Sequence, residues 1–335
     1  MNGCTNLLDV FGGTGLLARC AAPLDTPLGQ EMDRQNSRRG QIGGRWYVGY
    51  NGGAGISRDQ YSGQFFGQAI AYDLVPVRDV RRATRRNLTR MLDYIVSTGW
   101  FVDEDRPEFP ASLPTFWTGV VNQQITFLLI GERVSPGRYR AELARWSPLA
   151  EIAWLGAWLS TFNLDSYYKF NLGEITDYNY FRLETDPVRY QRMMRNHRIT
   201  RRYIDKHVNA HFDTIGLTVE PRTRRVLAPQ VRQALREFLT RCHREFSPRD
   251  LRTDDIQWVP YTMFAVNADE RRIERRDILM PSRSVDVRRR PPTDFLWQRS
   301  PFGVATAGEG SPFGETPGVD YTLPFWMARF HRALR

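Results

Sequence analysis

Apolar residues recur at helical spacing through most of this chain. Phe65, Phe66, Ala69, Ile70 and Leu74 fall three and four apart, which predicts a helix over about residues 60–74. Pro76 stops it, because proline has no N–H to give the next turn. Val80, Leu88, Met91, Leu92, Ile95 and Val96 predict a second helix over about 77–98. Its polar side is Arg78, Arg81, Arg82, Arg85, Arg86 and Arg90. The first half of that helix has almost no large apolar residues, so it reads as a solvated face rather than a membrane or RNA surface. Further helices are expected over 119–130, 138–162, 167–177, 187–204, 206–217, 229–245 and 323–334.

Two regions break the helical period. Residues 1–56 are punctuated by Gly12-Gly13, Gly43-Gly44 and Gly52-Gly53. Within them Asn6 to Phe11 reads as the end of a helix and Trp46-Tyr47-Val48 as a short strand. Residues 247–319 are dense in Pro, Arg and Gly but hold Trp258, Tyr261, Phe264, Phe295, Trp297, Phe302 and Phe313. Disordered segments are poor in aromatics, so this stretch is expected to be a long irregular wrap over a helical body. The pattern as a whole predicts an all-α chain of stacked helical hairpins with long irregular loops.

Composition changes this picture little. The 335 residues suffice for one large domain or two ordinary ones, and 13% aromatics leave rings to line a cleft. The net charge is +10, and Lys169 and Lys206 are the only lysines. Such a charge suits an anionic partner. No compact basic tract carries it, so the expectation is a spread excess of arginine and no nucleic-acid partner. Cys4, Cys20 and Cys242 have no paired spacing that would suit a disulfide framework or a zinc site. The longest apolar zone, residues 149–162, is interrupted by Glu151, Gly156 and Ser160, so no membrane span is expected. No signal peptide is visible.

The segment Ser57-Arg58-Asp59-Gln60-Tyr61-Ser62-Gly63, continuing to Ala71-Tyr72-Asp73-Leu74, resembles a group of bacterial, often exported, six-hairpin glycosidase-like proteins. Gly15 to Arg19, His207 to Phe212 and Tyr321 to Arg329 fit the same pattern. The resemblance implies an (α/α) toroid, the architecture of six-hairpin glycosidases and several polysaccharide lyases. Because the pieces span nearly the whole chain, it also implies a single domain over 1–335. A periplasmic or extracellular location is implied on the same ground. The match is specific for the group and not for a reaction.

Chemistry concentrates in two places. In the first, Asp59 could act as acid, base or nucleophile, Arg58 could hold a carboxylate or phosphate, and Tyr61 could exchange a proton with a sugar. Gly52-Gly53-Ala54-Gly55 would allow close backbone approach by a ligand. The alternative is a helix N-cap by Ser57 or Asp59, with Arg58 in solvent. In the second, His207 and His211 lie four apart and would share a helix face. They could chelate a metal, but Val208 stands where a zincin needs Glu, and no metal or cofactor is assigned. Asn209 and His211 with Tyr61 and Arg58 resemble the set used by toroid-type uronate lyases. A buried or capping pair is the other reading of these histidines. Asp59 with Asp165 or Glu184 would be a possible glycosidase pair. There is no Walker P-loop and no Gly-x-Ser-x-Gly elbow.

The expected catalytic residues are therefore Asp59, Tyr61 and His211. The expected substrate-binding residues are Arg58, Gln60, Asn209, His207, Trp46 and Tyr168. The leading reading is a glycoside hydrolase or polysaccharide lyase acting on a glycan in a cleft at one end of a toroid. The other is a non-catalytic assembly or binding protein that uses an arginine-rich helical surface.

Overall fold

A computed structural model of the chain describes residues 2–35, 38–50, 58–102, 111–112, 118–153, 167–240, 251–267, 272–291, 295–306 and 318–334. Ser57, the glycine run 52–55, Trp154 to Phe162, Asp165 and Cys242 lie outside these residues. The chain divides into two compact units. The first is Met1–Ala153 with Ile175–Met193, and the second is Trp154–Glu174 with Met194–Arg335.

In the first unit, helix α1 (Asn2–Asp9) precedes strand β1 (Cys20–Pro23), α2 (Pro27–Asp33), β2 (Arg38–Ile42) and β3 (Arg45–Tyr50). Thr26 caps α2 by accepting from the Gly29 amide at 3.1 Å. The three strands pair antiparallel in the order β1-β3-β2. Helices α3 (Arg58–Leu74), α4 (Arg78–Ser97), α5 (Thr118–Val134) and α6 (Arg140–Trp146) follow, and a 3-10 turn runs on over Ser147–Ile152. Between α4 and α5, β4 (Phe101–Val102) pairs with β5 (Ala111–Ser112).

The core of this unit forms where the helical stripes converge. Leu88, Met91, Leu92 and Ile95 of α4 sit on one face and are fully buried. Each buried side chain of this size contributes roughly 1.5–3 kcal/mol. On α3, Tyr61, Phe65 and Ala69 repeat every four residues into the same core, and Phe65 stacks on Phe127 at 4.0 Å. Arg78, Arg81, Arg82, Arg85 and Arg86 are exposed, as a solvated polar face requires. Arg90 instead turns inward and holds Asp9 and the Gly13 carbonyl.

Helices α7 (Tyr168–Leu183) and α8 (Pro187–Ile204) give residues to both units. The second unit continues with α9 (Ala210–Val219), α10 (Arg224–Leu239), β6 (Trp258–Asn267), β7 (Arg272–Pro281) and α11 (Val319–Phe330). Its larger core packs Leu227, Val231, Ala234 and Phe238 of α10 against Val287, Leu296, Trp297 and Ala328. A buried guanidinium organises the rest. Arg201 donates to the Phe212 carbonyl at 2.8 Å and to Asp213 at 3.0 Å, and pairs with Asp205 at 2.6 Å and Glu174 at 3.4 Å. Gly216 leaves room for it, since a Cβ there would lie 2.8 Å from the guanidinium carbon.

Two expectations are corrected. One is the all-α (α/α) toroid. The described residues hold eleven α-helices together with a three-stranded sheet and two antiparallel strand pairs, and no toroid is shown. Helical periodicity specifies each helix and its buried stripe. Closure into a ring depends on loop lengths and crossing angles that periodicity does not encode. Nor is the stretch 247–319 irregular throughout. Trp258–Asn267 and Arg272–Pro281 pair in continuous register from Trp258↔Pro281 to Asn267↔Arg272. Tyr261, Thr262 and Ile278 are strand-forming residue types that the surrounding Arg and Pro obscure in a windowed reading.

Candidate functional site

The residues expected to carry catalysis fall in both units. In the first, Tyr61 is fully buried, and its hydroxyl donates to the Gly15 carbonyl at 3.0 Å and accepts from the Leu17 amide at 3.2 Å. The hydroxyl thus ties the Gly15–Arg19 segment to α3, and it has no solvent face for a substrate. Arg58, Asp59 and Gln60 form the half-buried first turn of α3, where a carboxylate is stabilised by the helix N-terminus. Trp46 is 51% exposed on β3, opposite Gln41. Glu184 is no free acid, since Arg189 donates to both its oxygens at 2.8 and 2.9 Å.

In the second unit the expected helix over 206–217 begins at Ala210 instead. Asn209 is its N-cap, accepting from the Phe212 amide at 3.1 Å and donating to the Trp297 carbonyl at 2.8 Å. His207 therefore precedes the helix, and the two histidines do not share one helical face. Val208 between them is left-handed at φ 49°, which costs about 1–3 kcal/mol for such a residue. Arg290 holds that turn by donating to the His207 carbonyl at 2.9 Å and the Val208 carbonyl at 3.2 Å. His207 Nδ1 is hydrogen-bonded to the Tyr167 hydroxyl at 3.0 Å.

Both rings are buried and uncharged at neutral pH. Burial, with help from Arg290 and Arg201, pushes His207 down to about 3, and burial alone does the same to His211. Burial also raises Asp213 to about 7, outweighing the attraction of Arg201. Tyr168 is half-buried at the start of α7. His207, Asn209 and His211 are all buried and Asn209 caps the helix, which is the buried-or-capping reading of this segment.

A second arrangement in the same unit was not legible from the pattern. A groove of about 1120 Å³ runs between α10 and the α11 end of the chain. Its lining includes six arginines and no carboxylate: Arg222, Arg224, Arg225, Arg232, Arg236 and Arg332. Arg225, Arg232 and Arg236 are seven and four residues apart, so they form one stripe along α10. All six are exposed. Arg222 pairs with Glu220, and Arg224 donates to the His331 carbonyl at 2.8 Å. Among the described residues, no ion pair engages Arg225, Arg232, Arg236 or Arg332. Like charges one helical turn apart repel, so an uncompensated Arg232–Arg236 pair weakens its own helix by a few tenths of a kcal/mol.

Local structure builds the opposite wall. At the end of α11 the Ala333 amide donates to the Ala328 carbonyl at 2.7 Å and the Arg332 amide to the Arg329 carbonyl at 3.0 Å. That bonding is a Schellman cap, and Arg332 occupies its left-handed position at φ 58°, where glycine is usual. The backbone reversal there sets Arg332 on the groove. Tyr321 and Phe325, one turn apart, stack at 5.2 Å with planes 18° apart and line the same wall. Ala228, Leu235 and Ala333 are its buried apolar residues. A window on charge sees only scattered arginines here. Helical phasing of 225, 232 and 236 was the available signal, and it needed the correct helix start at Arg224.

No helix among the described residues is long and apolar enough to cross a membrane. Compared with family models, curated proteins and solved structures, the chain matches none.

Proposed function

We propose that this chain is a non-catalytic binding protein that holds an anionic partner in the groove between α10 and α11. The observation that carries this reading is the stripe Arg225, Arg232 and Arg236 facing Arg332, with no carboxylate in the lining. A guanidinium presents a planar fork of donors that fits carboxylate and phosphate oxygens. Several such forks around one concavity concentrate positive potential and draw anions toward it. Some other surface arginines are neutralised instead. Arg39, Arg45 and Arg138 each lie against a carboxylate, at 2.6 to 2.7 Å.

The glycan-cleaving reading draws no comparable support. Its lyase form calls on a proton-exchanging Tyr61, and the Tyr61 hydroxyl is engaged by backbone on both sides.

Titration of the purified protein with a labelled inorganic polyphosphate chain tests the proposal. Saturable binding is expected, weakened roughly three- to tenfold by Arg232→Gln or Arg236→Gln, about 1 kcal/mol per lost bond. Arg86→Gln, on the exposed face of α4, is expected to leave affinity unchanged. Equal loss from all three variants, or no binding at all, would overturn it.

A further inference from the structure

We infer that the anion taken by this groove is a single-stranded nucleic acid, whose phosphates lie along the α10 arginines while bases stack on the Tyr321–Phe325 wall. The inference rests on the anion-binding reading above and adds the ligand class.

Three features favour this occupant. The first is spacing. Arg232 and Arg236 are one helical turn apart, about 6 Å along the axis, and Arg225 lies two turns before Arg232, about 10.5 Å. A strand laid along α10 therefore meets guanidinium groups in series, and the Arg232–Arg236 interval is comparable with one phosphate step of an extended chain. The second is the pairing of charge with aromatic surface. Tyr321 and Phe325 are half-buried rather than sunk in the core, and their rings lie nearly parallel on the groove wall. A cationic track beside aromatic rings is the usual arrangement for unpaired strands, since every base offers a π-face. An acidic peptide would satisfy the arginines but bring no flat bases to lie against those rings. The third is shape. A duplex is read by elements that protrude into its grooves, whereas this basic stripe lines a concavity. A single strand fits inside one. The sequence alone pointed away from nucleic acid because no basic tract is contiguous, but the tract is assembled by helical phasing and by the Arg332 cap.

The test compares three probes by fluorescence anisotropy. They are an oligouridylate about 12 nucleotides long, an abasic phosphodiester strand of equal length, and a duplex. The oligouridylate is expected to bind at least about fivefold tighter than the abasic strand, because stacking on an aromatic is worth that much or more per base. The duplex is expected to bind more weakly than the oligouridylate. Tyr321→Leu with Phe325→Leu should bring the oligouridylate down to the abasic level, and circular dichroism would check that the variant is folded. Tyr321→Leu alone, which keeps an apolar side chain against the core, should close part of the gap. Arg232→Gln with Arg236→Gln should weaken both strands. Equal binding of oligouridylate and abasic strand in the wild type would overturn the nucleic-acid assignment and leave the anion groove standing. Preference for the duplex would also overturn the assignment. Failure of every probe to bind would overturn both.

Discussion

The Trp297 indole Nε1 donates to the Asp320 carbonyl at 2.6 Å. That carbonyl is the one whose helical partner would be residue 324, and Pro324 has no N–H to give. The indole therefore supplies the bond that the proline removes from α11. The Asp320 side chain returns the contact by accepting from the Leu296 amide at 2.5 Å. Trp297→Phe keeps an aromatic ring but strands a buried carbonyl and leaves a small void. The expected cost is about 2–4 kcal/mol by chemical denaturation. Because α11 is the groove wall, anion affinity should fall in the same variant. A loss below about 0.5 kcal/mol would show that another donor fills the position.

Tyr61→Phe separates a structural from a catalytic tyrosine. The change leaves the Leu17 amide and the Gly15 carbonyl without the hydroxyl that joins them. Stability should drop by about 1–3 kcal/mol, measured by thermal or urea unfolding. Unchanged stability would count against the structural role.

How far the chain was legible from its sequence follows from which interactions are local. The predicted helix over 187–204 matches α8, Pro187–Ile204, because its start is marked by proline at the first position. Those expected over 60–74 and 77–98 are within a few residues of α3 and α4 for the same reason: apolar stripes and Pro76 are local signals. The helix expected over 206–217 was misplaced because Asn209 caps through a bond to its own third neighbour, and the left-handed Val208 before it depends on Arg290, 82 residues away. Tyr61 shows the same limit. Its residue type and neighbours suggested chemistry, but its partners at Gly15 and Leu17 are set by tertiary packing. The groove joins helices that are far apart in the chain, so no local window contains it.

Gly216→Ala should reverse the ordinary sign. In a helix interior, Ala is usually favoured over Gly by about 1 kcal/mol. Here the added Cβ would meet the Arg201 guanidinium, whose position is fixed by Asp213, Asp205 and the Phe212 carbonyl. Overpacking of this kind costs about 1–3 kcal/mol. Denaturation midpoints compare the two proteins, and a stabilised Gly216→Ala would contradict the packing described.

Acid sensitivity should report the buried network. His207 and His211 fall from an ordinary 6.5 to about 3 on folding, so between these values the unfolded chain binds their protons and the folded chain does not. Their stabilisation is present above about pH 6.5 and is lost as pH falls toward 3. Asp213 works oppositely. Raised to about 7, it is protonated when folded and ionised when unfolded, so its stabilisation is full below about 3.8 and is lost as pH rises through 7. Between about pH 4.5 and 6 these three groups leave the unfolded state one proton richer. They contribute a rise in stability with pH of about 1.4 kcal/mol per unit. Asp213→Asn should steepen the measured slope by that amount, and His211→Gln should flatten it by that amount. Unchanged slopes in both variants would contradict the assignment.

The most direct measurement is the salt dependence of polyphosphate binding in the wild type and in Arg232→Gln with Arg236→Gln. If the groove is the anion site, log affinity falls linearly with log salt, and the variant slope is shallower by roughly one for each arginine removed. Identical slopes and affinities in the two proteins, or wild-type binding indifferent to salt, would contradict it.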